Sequence, residues 1–208
     1  MSIAPAPPGY NGHMIATKQP AGTRVTYEQW LTMPRTTQPH EVIAGEVTMS
    51  PAPSSIHQWM LSELLHALRS HVRGAALGIV LPAPIDLIIS KSSVLRTRQP
   101  DILFLNAEKT GVRGPKDLEA MPSIEVVPDL VVELLSPDEH RRTLTGKLED
   151  YATLGILEVW LVSRESETVE VLSFENGEYR RTALFGHGDT LTSAVLPGFT
   201  LNVQTIFG

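Results

Sequence analysis

Two acidic residues, Asp101 and Glu133, lie in strongly apolar segments of the sequence. Glu133 interrupts the run LVVELL, and Asp101 follows Pro100 at the start of DILFL. An ionised carboxylate in an apolar environment is unfavourable unless it is paired, hydrogen-bonded or bound to a cation. If the two segments are neighbouring strands, side chains on a shared face come close enough to bind one ion. The pair therefore predicts a metal site, for Mg²⁺ or Mn²⁺, with Asp101 and Glu133 as its ligands.

Each acid also has a simpler explanation. Glu133 could form a salt bridge with a buried Arg or Lys or lie on a face open to solvent, and Asp101 could be a turn residue at the strand entry. Asp129 also follows a proline, but it lies on the same strand as Glu133. At roughly 3.3 Å per residue their backbones are about 13 Å apart, too far for two ligands of one ion. We interpret Asp129 as a strand-entry residue, and Asp86 as either a further site acid or an edge-strand residue.

The composition predicts one globular domain. Hydrophobic residues make up 42% and charged residues 19% of the 208 residues, as in ordinary soluble proteins. We expect residues 1–22, which are rich in Pro and Ala, to form a flexible extension, and residues 23–208 to form the domain. No apolar run is long enough for a membrane span and no secretory signal is present, so we expect a cytoplasmic protein without a membrane partner.

Cysteine content and charge limit the possible chemistry. The chain has no cysteine, which excludes disulfides, thiolate zinc sites and cysteine nucleophiles. Any metal must therefore bind to oxygen or imidazole. The net charge of −6 argues against nucleic-acid binding through a general positive field. It is compatible with a nuclease whose carboxylates bind a cation, since the cation then supplies the positive charge.

The pattern of apolar residues predicts the elements that position the two acids. Ser55 and Gln58 have the spacing of a capping box and open a helix expected to reach about Arg73. Thr26 caps a shorter helix, and Gly45 lies at the turn of a hairpin or bent strand. A third helix opens at Ser136-Pro137-Asp138 and ends at Gly155, and KSSVLRTRQ has the composition of a polar turn. This order of helices and short strands predicts an α/β fold with a mixed β-sheet flanked by helices.

Several segments, taken together, resemble one family. They are the stretch HEVIAGEVTMSPAP, His57 at a helix start, RQPDILFL, PDLVVELLSP, Lys147 with Tyr151, and LGILEVWLV. Their order and spacing resemble the Uma-two family of endonucleases in the PD-(D/E)XK nuclease superfamily. The resemblance implies a restriction-endonuclease-like fold and magnesium-dependent hydrolysis of DNA phosphodiester bonds by metal-activated water. It also implies a homodimer, because superfamily members that cut both strands are often dimers.

The resemblance assigns roles to further residues. The superfamily pattern has a lysine two residues after the glutamate, where this chain has Leu135. The family places the lysine on the following helix, where Lys147 matches, and its long stem can deliver the ammonium to the carboxylates. Lys147 would orient the attacking water or stabilise the developing charge. The alternative is an exposed helix lysine that is paired with nearby acids. The family also often has an acid where this chain has Thr143.

Two further candidate catalytic residues are Glu46 and His57. Glu46 matches an acidic position of the family and would supply a ligand through water; the alternative is a hairpin residue facing solvent. His57 would touch substrate or a ligating acid; the alternative is a capping or packing role. Around the acids, six basic residues could form a track for the phosphate backbone or be ordinary surface charge: Lys91, Arg96, Arg98, His140, Arg141 and Arg142.

Two non-catalytic functions compete with the nuclease. In the first, the chain is a catalytically inactive nucleic-acid-binding or dimeric regulatory module that retains the nuclease fold, an interpretation favoured by Leu135. In the second, it is an acidic interaction protein whose carboxylates are only salt-bridged. Metal-dependent cleavage of DNA distinguishes all three.

Overall fold

The computed structural model describes residues 24–34, 36–92, 94–136 and 141–208 of the chain. The extension expected at residues 1–22 lies outside these ranges, as do residues 137–140, where the third helix was expected to open. Within the described residues, no helix is both long and apolar enough to cross a membrane.

Six helices and twelve strands make up this part of the chain. The helices are α1 (Tyr27–Leu31), α2 (Ser55–Gly74), α3 (Ala107–Thr110), α4 (Pro115–Glu119), α5 (Arg141–Leu154) and α6 (Gln204–Phe207). The strands are β1 (His40–Ile43), β2 (Glu46–Met49), β3 (Gly78–Pro82), β4 (Leu87–Ser90), β5 (Arg96–Arg98), β6 (Ile102–Asn106), β7 (Leu130–Leu135), β8 (Glu158–Ser163), β9 (Thr168–Glu175), β10 (Glu178–Phe185), β11 (Thr190–Thr192) and β12 (Thr200–Asn202).

A six-stranded mixed sheet forms the centre of the molecule, in the order β10-β9-β8-β7-β6-β3. The pair β7 and β8 is parallel, with α5 as its crossover, and the other neighbours are antiparallel. Strand β7 is central, and five of its six residues are buried. A strand covered on both faces reads as a continuous apolar run, which explains LVVELL. The expected mixed α/β fold is confirmed.

The two faces of the sheet have separate apolar cores. Helices α2 and α6 pack on one face, where Leu64 and Leu68 meet Phe104 and Trp160 of the sheet. On the other face, Tyr151 of α5 packs with residues of β4, β6 and β7. A third, smaller core joins α1 to the hairpin β1–β2, to β4 and to Leu95, which directly precedes β5. Glu133 therefore lies in a sheet that is packed on both sides, and Asp101 directly precedes β6 of the same sheet.

The structure corrects two expectations about local structure. Helix α2 begins at Ser55, but its N-cap is Ser54, whose side chain accepts a hydrogen bond from the His57 amide at 3.3 Å. The cap is therefore one residue earlier than the spacing of Ser55 and Gln58 suggested. The segment KSSVLRTRQ is not only a polar turn, because it contains β5, which pairs with β4.

Replacing Ser54 tests the position of this cap. We expect Ser54→Ala to lower the free energy of unfolding by about 1 kcal/mol, because the hydrogen bond to an amide of the first turn is lost. Ser55→Ala is the matched control, and its effect should stay within about 0.5 kcal/mol. Urea unfolding followed by circular dichroism measures both, and a larger loss for Ser55→Ala would show that the cap is at Ser55.

Candidate active site

Asp101 and Glu133 are brought side by side by the pairing of β6 with β7. The two strands are antiparallel, and Ile102 lies opposite Val132. The next pair outward in this register is Asp101 and Glu133. Residues that face each other across antiparallel strands have backbones only about 5 Å apart. The strand adjacency on which the proposed pair depended is therefore present.

The Asp101 carboxylate is held by two hydrogen bonds. The Leu134 amide donates to Oδ2 at 2.7 Å. The Asp101 side chain thus continues the hydrogen bonding between β6 and β7 at the position just before the first residue of β6. His57 Nε2, from the first turn of α2, lies 3.1 Å from Oδ1. The Asp101 side chain remains 17% exposed, so it is reachable from solvent. His57 thus contacts a candidate ligand directly, as one of its two expected roles required.

Glu133 is almost completely buried, and two residues of α5 bind its carboxylate. Lys147 Nζ donates to Oε2 at 2.7 Å, and the Tyr151 hydroxyl donates to Oε1. Only 2% of the Glu133 side chain and 14% of the Lys147 side chain are exposed. The alternative foreseen for Glu133, an ion pair with a basic residue, is therefore present, and its partner is the lysine that the family resemblance assigns to the site.

These contacts set the charge states of the site. Burial raises the pKa of Glu133 to about 7, although the Lys147 ammonium acts in the opposite direction. Burial also raises the pKa of the Tyr151 hydroxyl well above its ordinary value, so this group remains a donor. The hydrogen bond to Asp101 raises the pKa of His57. The site thus holds two acids that are electrostatically coupled to one lysine and one histidine.

The sequence of α5 explains how a helix supplies the lysine. Lys147 and Tyr151 are one turn apart, so they lie on one face of the helix and reach the same carboxylate. Gly155 ends the helix with a positive φ of 71°, a conformation that favours glycine. Leu135, at the usual position of the superfamily lysine, is packed against the second core. The ammonium therefore comes from α5 instead of from β7.

Three other acids were considered from the sequence, and their surroundings are as follows. Glu46 is exposed in β2, and among the described residues no hydrogen bond or ion pair links it to Asp101 or Glu133. Asp129 forms an ion pair with Lys109 at 2.9 Å. Asp86 accepts a hydrogen bond from the Gln99 side chain at 3.0 Å. A direct role in the site is thus not visible for any of them.

The basic residues considered for a phosphate track form ion pairs within the fold, as far as their side chains are described. Arg98 is buried and forms ion pairs with Asp150 and Glu41. Arg96 also binds Asp150, and Lys91 binds an acid of a neighbouring loop. These charges are neutralised within the fold. The side chains of the other three members, His140, Arg141 and Arg142, lie outside the described part of the structure.

Tyr151 was noted beside Lys147 in the family resemblance, but its hydrogen bond to Glu133 was missed. The available signal was its spacing from Lys147, which places both residues on one helical face. Asp150 was missed as well. Asp150 lies in the same turn of α5 as Tyr151, which faces the core. A buried acid at such a position needs a partner, which indicates an ion pair.

A change at Glu133 tests the cost of burying this carboxylate. Its pKa is about 7 in the folded state and near 4.5 when exposed, so the folded state binds more protons between these values. The raised pKa therefore contributes to the free energy of unfolding in full below about pH 4.5, and this contribution is lost as the pH rises through 7. Glu133→Gln mimics the neutral acid at every pH. We expect the variant to gain stability relative to the wild type between pH 5 and pH 8.

Urea unfolding in EDTA at pH 5 and at pH 8 measures the difference in the free energy of unfolding between Glu133→Gln and the wild type. Glu46→Gln, at an exposed position, controls for the loss of one negative charge. A difference between Glu133→Gln and the wild type that stays constant with pH would contradict the raised pKa.

Comparison with known proteins agrees with this architecture. Residues 25–204 match the model of the Uma2 family, described as "Putative restriction endonuclease". Among solved structures, the chain is similar to a crystal structure of a "putative nuclease belonging to DUF820" from Anabaena variabilis, with a TM-score of 0.70 and 21% identity. The match covers 88% of this chain and 97% of that chain, and at this identity it shows the shared fold. No curated protein matches.

The family resemblance noted in the sequence is thus confirmed, and the family description supports a nuclease function in general. Because the family model spans most of its length, the chain belongs to the Uma2 family.

Proposed function

We propose that this protein is an endonuclease that uses Mg²⁺ or Mn²⁺ to hydrolyse phosphodiester bonds of DNA at the Asp101–Glu133 pair. The observation that carries the proposal is the ion pair between Lys147 and Glu133, on the acid that lies beside Asp101 in the sheet. Two acids and one ammonium at a single point match the chemistry of metal-dependent phosphodiester hydrolysis. A salt bridge that served only stability would not need the second acid.

The donor set fits a hard divalent cation. Asp101 and Glu133 offer only oxygen ligands, and among the described residues no group of three His, Cys, Asp or Glu side chains forms a fuller metal site. Mg²⁺ commonly binds through one or two carboxylates and completes its shell with water and substrate phosphate. A cation bound here would polarise the scissile phosphate and lower the pKa of water near it.

Each residue of the site has a distinct task. Asp101 and Glu133 hold the cation. Lys147 stabilises the negative charge that develops on the phosphate, because an ammonium adds positive charge without competing for the metal. Tyr151 fixes the orientation of the Glu133 carboxylate, and His57 does the same for Asp101.

DNA is the substrate favoured by the family description, which names restriction endonucleases. The net charge of −6 disfavours binding of DNA through a general positive field, so we propose that contacts to the phosphate backbone are confined to the site. Superfamily members that cut both strands are often dimers, so we also propose that the protein acts as a homodimer. Glu46 remains a proposed outer ligand that would act through water.

Plasmid cleavage tests the proposal. We expect the wild type to nick or linearise DNA with Mg²⁺ or Mn²⁺ and to be inactive in EDTA. Asp101→Asn should reduce the rate to background, because one metal ligand is lost. Lys147→Met should reduce it by about 100-fold or more, because the developing charge loses its stabilising group. Asp129→Asn is the matched control, since it removes a buried, ion-paired acid away from the site.

Metal-dependent cleavage that survives Asp101→Asn would overturn this assignment. Titration calorimetry with Mn²⁺ separates the competing functions when no cleavage is seen. DNA binding without cleavage would identify an inactive binding module, and the absence of both metal and DNA binding would identify an interaction protein.

A further inference from the structure

A buried cluster of ion pairs lies next to the candidate site, on residues that the proposed chemistry does not use. Asp150 of α5 is buried between two arginines of β5. Arg98 Nε donates to Asp150 Oδ2 at 2.7 Å, and Arg96 Nη1 donates to Oδ1 at 2.5 Å. Arg98 Nη1 also donates to Glu41 of β1 at 2.8 Å. One guanidinium therefore joins the hairpin, β5 and α5.

The position of this cluster in the chain relates it to the site. Asp150 lies between Lys147 and Tyr151, the two residues of α5 that bind Glu133. Around the helix, Asp150 is about 100° from Tyr151 and about 60° from Lys147. Its side chain therefore reaches β5, while theirs bind Glu133 of β7. Arg98 lies three residues before Asp101 in the sequence. The ion pair between Arg98 and Asp150 thus connects the segment that carries Asp101 to the helix that carries Lys147.

The apolar contacts of α5 fix its position less precisely than these ion pairs do. Of its core-facing residues, Tyr151 is fully buried, whereas Leu144, Leu148 and Leu154 are only partly buried. Apolar packing is non-directional and tolerates small rotations and shifts of a helix. A carboxylate that is hydrogen-bonded to two guanidinium groups does not tolerate such shifts, because these hydrogen bonds have a specific geometry. A lysine that must reach a buried acid depends on such directional support, because a misplacement of 1 Å is enough to weaken catalysis.

We propose that Asp150 is a positioning residue, which holds α5 against Arg98 in the orientation that delivers Lys147 to Glu133. Its catalytic consequence rests on the proposed nuclease function, but the placement of Lys147 can be measured without any activity. Asp150 touches neither Asp101 nor Glu133 among its described contacts, so it acts through the helix.

Chemical labelling of lysines tests the placement directly. The Lys147 ammonium is mostly buried and ion-paired, so it should react slowly with acetic anhydride. In Asp150→Asn, which keeps the size of the side chain and removes its charge, we expect Lys147 to be labelled about tenfold faster, as read by mass spectrometry. Arg98→Lys, which keeps the charge but loses the guanidinium fork, should have the same effect. Asp129→Asn is the control, and it should accelerate labelling of Lys109 but not of Lys147.

Each variant is first shown to be folded by its circular dichroism spectrum and melting transition. Unchanged labelling of Lys147 in either folded variant would overturn the proposal. If Asp150→Asn does not fold, Arg98→Lys decides the outcome. Asp150→Glu, which restores the charge, should return the labelling rate towards that of the wild type.

Kinetics then link placement to catalysis. In an active wild type, we expect Asp150→Asn to lower kcat by about 10- to 100-fold with little change in KM for DNA. This is the effect of a residue that orients a catalytic group without contacting the substrate. A loss confined to KM would contradict a role in positioning Lys147. If the wild type does not cleave DNA, the proposed function fails, and the labelling result still decides whether Asp150 positions the lysine.

Discussion

The burial of the Glu133 carboxylate in the centre of β7 is the constraint on which the rest of the site depends. A charge on a strand covered on both faces is tolerated only with partners, and here both come from one turn of α5, as the Lys147 ammonium and the Tyr151 hydroxyl. Even with these partners, burial keeps the pKa of Glu133 near 7. Such a cost is common where a protein gives up stability for function.

The same constraint explains the surrounding architecture. The antiparallel pairing of β6 with β7 sets Asp101 beside Glu133, and the Leu134 amide fixes one oxygen of the Asp101 carboxylate. Parallel strands need a long crossover connection, and between β7 and β8 this connection contains α5, which packs on the face of the sheet where Glu133 lies. A lysine on this helix can therefore replace one on the strand, where Leu135 packs instead.

Much of this could be predicted from the sequence, and the failures have physical causes. The run LVVELL identified a central strand with a buried acid, because apolar continuity and one charge are both local signals. The place of Lys147 came from the family resemblance, since no local pattern shows which distant strand a helix will cover. Arg98 was expected either to contact phosphate or to be ordinary surface charge. Its burial was missed, because burial of an arginine depends on acids that are far away in the sequence. The cap at Ser54 was missed by one residue, as two adjacent serines have the same propensity.

We propose that Asp101 and Glu133 share one divalent cation beside Lys147. A crystal structure with Mn²⁺, measured at the manganese absorption edge, tests this proposal, because anomalous scattering locates the ion without assumptions about activity. We expect a single peak about 2.0–2.3 Å from an oxygen of each carboxylate. A peak elsewhere in the molecule, or none between these two acids at saturating Mn²⁺, would contradict it.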